Sequence, residues 1–178
     1  MKNINSFAKI FLYLCTLSGF LWVGSYLTRL ILTYQLFEKN DFILKSYLNS
    51  QNLPGIFITL NAGTILSFIL YILFIASFII FVLSSRINLK ENGWLFIITT
   101  IVLITFPFEL YLMTVDYKMF NLILSGPFNS ADIVTLIIKR FKILGSFPVI
   151  ELLCYFVIAY LIIFQPLKMN KKKIENEN

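Results

Sequence analysis

A chain that crosses lipid has few structural options. Hydrocarbon offers no hydrogen-bond partner, so each peptide N–H and C=O must be satisfied within the chain, by helices or closed barrels. Four stretches impose that constraint here: 10–30, 56–83, 94–114 and 147–165. Each is apolar over roughly the twenty residues that a helix needs to cross a bilayer. The bulk numbers agree. The 178-residue chain is 58% hydrophobic and 13% charged, with a mean hydropathy of +0.83. A soluble domain carries about a quarter charged residues. The expectation is an all-α, polytopic membrane protein with four transmembrane helices, forming a single domain over 1–178.

The connections refine this. Lys2 and Lys9 precede the first apolar run in the manner of a signal peptide, but no small-x-small cleavage site follows, so a retained span is expected. The 38–54 connection mixes Lys39, Asp41 and Lys45 with Phe42, Ile43 and Leu44, and suits the membrane interface. Segment 132–144 is amphipathic at helical spacing. Ile133, Ile137 and Phe141 fall in one broad arc, Thr135, Lys139 and Lys142 oppose them, and Arg140 stands near the apolar side. It reads as an interfacial helix between the third and fourth spans, with docking to a partner as the alternative. Ser130 is its expected cap. Gly63 and Ser67 form a small-xxx-small pair that favours close helix approach. The tail 168–178, with Lys171, Lys172 and Lys173, is expected to be flexible and near the headgroups.

Several chemistries are disfavoured. There is no histidine, which removes Ser-His and Cys-His catalysis and most catalytic zinc sites. The two cysteines, Cys15 and Cys154, lie in separate apolar runs without a CxxC, so they read as small buried hydrophobes. No P-loop or GxSxG elbow is present. No cofactor, no metal and no nucleic-acid partner is expected. The expected partners are the bilayer and possible further membrane subunits.

The informative residues are the polar ones inside the spans. Glu109 follows Pro107, and Glu151 follows Pro148. At 1.5 Å per residue each carboxyl lies about 7 Å from its span's midpoint, and because these helices run oppositely both fall on the same side. Arg29 and Asn61 fall on that side as well, about 13 Å out. Glu109 shares a helix face with Val102, Thr105 and Asp116, while Ser18, Trp22, Ser25, Arg29 and Thr33 make a stripe on the first span. Such faces turn toward the bundle interior, where partners exist. The expected polar cluster is therefore Arg29, Asn61, Glu109, Glu151 and Asp116, with Arg29 as cation for Glu109 or Glu151. It suits three functions: an accessory or subunit protein, a small transporter or channel component with this cluster as its pocket, or, with least support, a lipid-active enzyme.

Orientation rests on the basic residues. Eight Lys or Arg lie on the side of the termini and seven on the other, and both the first and last flanks are basic. Cytoplasmic termini in a bacterial inner membrane are the expectation. Single cysteines at Asn40 and Asn129, on a cysteine-free background, should react with an impermeant thiol reagent outside intact cells, and one at Asn176 should not. The reversed pattern overturns the orientation.

Overall fold

The computed structural model describes residues 5–38, 42–144 and 147–167. Four helices are long and apolar enough to cross a membrane: α1 (Ser6–Tyr34), α2 (Leu53–Ser85), α3 (Gly93–Leu124) and α5 (Phe147–Phe164). Between α3 and α5 lies the amphipathic α4 (Ser130–Leu144). A small antiparallel hairpin, β1 (Phe37–Glu38) with β2 (Ile43–Leu44), follows α1 and was not apparent in the sequence. The expected flexible tail lies outside the described residues.

The spans are longer than hydropathy alone indicates. α3 continues to Leu124, ten residues beyond the apolar run that ends at Thr114. Charged Asp116 and Lys118 interrupt that run without interrupting the helix, because Val115 and Asp116 are buried against neighbouring helices. At 1.5 Å per residue α2 is about 50 Å long, well beyond the hydrocarbon thickness, while α5 at about 27 Å roughly matches it. Pro107 removes a backbone donor, yet α3 is continuous through it.

α1 and α2 pack most closely. A Cβ on Gly19 would stand 3.0 Å from the Phe74 ring, so only glycine fits there comfortably. Ser67 of the small-residue pair meets α1, sharing a 2.6 Å hydrogen bond with Ser25. Gly63 has open space instead. In mid-bundle Trp22 contacts three rings of other helices, with centroids 4.9 Å from Tyr71, 6.4 Å from Phe74 and 4.8 Å from Tyr155, besides Tyr26 on its own helix at 5.3 Å. Cys15 is buried and Cys154 half-buried, both as free thiols.

α4 caps one end of the bundle, hereafter the α4 end. Gly126, at φ +118°, supplies the turn that α3 needs before it. Asn129, rather than Ser130, caps the helix, its Oδ1 accepting from the Ala131 N–H at 3.1 Å. α4 is amphipathic as its periodicity predicts, but protein covers its apolar face. Ile133 and Ile137 are buried with Leu36, Phe37, Leu53 and Phe57. The ends of α1, α2 and α3 and the hairpin together build that surface, which no single segment reveals.

Removing buried core methyls costs about 2–5 kcal/mol for a change such as Ile to Ala. Ile133→Ala should therefore lower stability in detergent by about 2–5 kcal/mol. Thr135→Ala, on the exposed face, should change it by less than about 0.5 kcal/mol. Equal effects would show that α4 does not pack on the bundle.

Candidate functional site

The buried charged side chains and three buried tyrosines lie in three levels between the middle of the bundle and the α4 end. On α1, Trp22, Tyr26 and Arg29 recur at helical spacing and are all buried. On α3, Thr105, Glu109 and Asp116 do the same. Glu151 and Tyr155 sit one turn apart on α5, with Tyr71 facing them from α2. Because α1 and α3 run toward the α4 end and α5 runs away from it, these spacings bring like levels together.

The outermost level is an ion triad. Asp116 accepts from Arg29 Nη1 through Oδ2 at 2.7 Å and from Arg140 Nε through Oδ1 at 2.8 Å. Arg29 is 9% exposed and Asp116 only 2%. The bonded partner of Arg29 is thus Asp116, not the expected Glu109 or Glu151. Depth explains the difference. Arg29 lies farther out than the two glutamates, and the unbroken α3 carries Asp116 to its level. Arg140 was not expected in the cluster, although its place near the apolar side of the α4 wheel pointed inward. Burial opposes its charge, but Asp116 beside it more than offsets this and raises its pKa. Its Nη2 has no hydrogen-bond partner among the described residues.

Tyr26 links this level to the next. Its ring centroid lies 5.5 Å from the Arg29 guanidinium carbon and 5.6 Å from that of Arg140, within cation–π range of both. A cavity of about 30 Å³, room for a water, adjoins the triad; its lining is mostly apolar, with Tyr26, Arg29, Thr33, Thr64, Asp116 and Arg140 as its polar members.

The second level is a carboxyl pair. Glu109 is 3% and Glu151 1% exposed, and each acts directly on the other's charge. Arg29, Arg140 and Asp116 act on Glu109 as well, so the five charged groups form one electrostatic unit. Three carboxyl oxygens, Glu109 Oε2 and both of Glu151, have no hydrogen-bond partner among the described residues. Buried carboxyl oxygens without partners are costly.

The third level is aromatic. Tyr155 Oη lies 3.3 Å from Thr105 Oγ1. The hydroxyls of Tyr26 and Tyr71 have no hydrogen-bond partner among the described residues. Asn61 is buried on α2, and its Oδ1 is likewise unpartnered. The expected cluster is thus divided, with Arg29 and Asp116 bonded, Glu109 and Glu151 paired, and Asn61 joined to neither by a hydrogen bond. Beyond the aromatic level the interior is mostly apolar, with Phe78, Phe81, Leu95 and Ile98. Among the described residues, no three His, Cys, Asp or Glu side chains are placed to hold a metal ion.

Breaking a buried pair from one side costs about 3–5 kcal/mol, whereas replacing a whole ion triad by apolar residues is often neutral. Asp116→Leu should destabilise the detergent-solubilised protein by about 3–5 kcal/mol. Adding Arg29→Met and Arg140→Met should recover most of that. A triple variant no more stable than Asp116→Leu would mean that the triad is not the unit described.

No protein-family model, curated protein or solved structure matches this chain.

Proposed function

We propose that this protein is a small, non-enzymatic component of a membrane transport or channel system, with a polar core that takes up a small cation in the half of the bundle beside α4. The observation that carries this reading is the Glu109–Glu151 pair. Two carboxyl groups are almost fully buried in membrane-spanning helices, yet three of their oxygens have no hydrogen-bond partner among the described residues. Ionisable side chains at membrane depth mark ion paths and proton relays. The triad and its cavity lie on the approach from the α4 end. With both termini cytoplasmic in a bacterial inner membrane, that approach is from outside the cell.

One feature favours a second reading, an accessory subunit of a larger membrane complex. A groove of about 570 Å³ runs between α2 and α3, walled by Phe68, Ile72, Ile79, Phe106, Leu110 and Tyr117. It is apolar and open on the flank of the bundle, where a helix of a partner would fit. A lipid-active enzyme has less support, since the buried carboxyls adjoin no broad cleft.

Reconstitution into liposomes decides between these. With imposed pH or cation gradients, the protein should dissipate a gradient faster than protein-free liposomes do. Glu109→Gln together with Glu151→Gln should return the rate to the protein-free level. A wild-type rate at that level, with a stoichiometric membrane partner recovered on purification, would replace the transport reading by the accessory one.

A further inference from the structure

Counting charge over the buried cluster identifies the cation. Facing the Glu109–Glu151 pair are Tyr26 and Arg29 from α1, Tyr71 from α2, Asp116 from α3, Arg140 from α4 and Tyr155 from α5. The tyrosines are neutral phenols. Of the charged groups, three are acids (Glu109, Asp116, Glu151) and two are bases (Arg29, Arg140). Fully ionised, the unit carries one excess negative charge. A poorly solvated interior penalises such an excess severely. One positive charge restores neutrality.

Two observations choose what that charge is. The glutamates are 3% and 1% exposed, and among the described residues no third carboxylate, thiol or imidazole joins them in a set that could hold a metal ion. A proton requires no such set. The glutamates also lie side by side with three oxygens lacking a donor. If both are ionised, nothing can donate between them. A single added proton makes one carboxyl a donor and the other its acceptor.

We infer that Glu109 and Glu151 share one proton taken from water, and that docking of Arg140 on α4 sets how many protons the pair holds. This rests on the transport reading and names its cation. Arg140 is the inward-turned cation of an end-capping helix, bound through Nε to Asp116. Its presence holds the total at one proton, and its departure leaves an excess of two negative charges. Uptake at the pair and docking of α4 are thereby linked, since each changes the free energy of the other.

The test is the infrared C=O stretch of a protonated carboxylic acid, recorded at pH 7 on the whole protein in lipid nanodiscs, with carboxyl-labelled glutamate identifying the residue type. Wild type should show one protonated glutamate, lost in the Glu109→Gln, Glu151→Gln double variant. Asp116→Asn removes one acid and should abolish the band. Arg140→Gln removes one base and should roughly double it, to two protons for a balance of two excess charges. Arg140→Gln with Asp116→Asn removes one of each and should restore wild-type intensity, as should Arg140→Lys. These last two variants keep the charge balance, so they remain informative if a single variant fails to fold. Absence of the band in folded wild type overturns the shared proton. Wild-type intensity in both Asp116→Asn and Arg140→Gln overturns the control by charge balance. The outcome is separable from liposome flux. A band that follows the series without flux retains the proton site and removes the transport function. Flux without the band retains transport and removes the proton.

Discussion

Asp116 joins three helices that have little else to bind them by polar contact. In lipid, helices gain no hydrophobic driving force from associating, because acyl chains are as apolar as leucine. A buried aspartate with guanidinium groups on both oxygens supplies specificity that apolar packing lacks. Arg29 brings α1, Arg140 brings α4, and Asp116 itself belongs to α3. Each partner would be very costly alone at this depth, so the three positions are mutually dependent. The register of α3 against α1 follows, and with it the levels at which Glu109 and Tyr26 meet. The docking of α4 follows as well, since Ile133 and Ile137 seat the helix while Arg140 fixes its rotation.

That arrangement leaves the two halves of the bundle unlike. Toward α4 lie the four buried charged groups among the described residues, Arg29, Glu109, Asp116 and Glu151, with the partly buried Arg140 and a cavity beside the triad. Away from α4 the interior is aromatic and aliphatic, with Phe81 and Leu95 among the most buried side chains, and holds an apolar cavity of about 60 Å³ lined by Cys15, Phe78, Phe81, Trp94 and Tyr155 among others. Buried hydroxyls there turn inward on their own helices, as Ser77 does by donating to the Leu73 carbonyl at 2.6 Å. The polar core is thus bounded on its far side by apolar residues.

Much of this was legible in the sequence, for identifiable reasons. The helical stripe on α1 correctly placed Ser18, Trp22 and Arg29 in the interior, and the face shared by Val102, Thr105, Glu109 and Asp116 is the buried face of α3. Periodicity reports faces well because lipid offers polar groups no alternative. It reports partners poorly. Arg29 was matched to the glutamates because hydropathy ended the third span at Thr114 and set Asp116 outside it. Helix continuity is a backbone property that a charged residue does not interrupt. Arg140 was visible as the one basic residue near the apolar side of its wheel, but its reach depends on where α4 docks, a tertiary fact. Tyr26, Tyr71 and Tyr155 passed unnoticed because tyrosine within a span reads as bulk hydrophobe. Their spacing held a signal: Tyr26 lies four residues after Trp22 and three before Arg29, and Tyr155 four after Glu151.

The division of the cluster into two parts bears on why it exists. Architecture accounts for the triad, since Asp116 accepts from both arginines and so fixes the helix positions. It does not account for the glutamates. No hydrogen bond among the described residues uses Glu109 Oε2 or either oxygen of Glu151, so neither side chain secures a neighbour in the way Asp116 does. Leucine at one of the two positions would fill the volume without that group's desolvation penalty, whereas leucine at both would leave one guanidinium of the triad uncompensated. Moreover, the pair creates the excess acid: without it, one aspartate would face two arginines and the imbalance would have the opposite sign. Fully ionised, the glutamates turn one excess positive charge in the core into one excess negative charge. One carboxylate balances the surplus guanidinium of the triad, and the second is the group on which the proposed proton uptake rests.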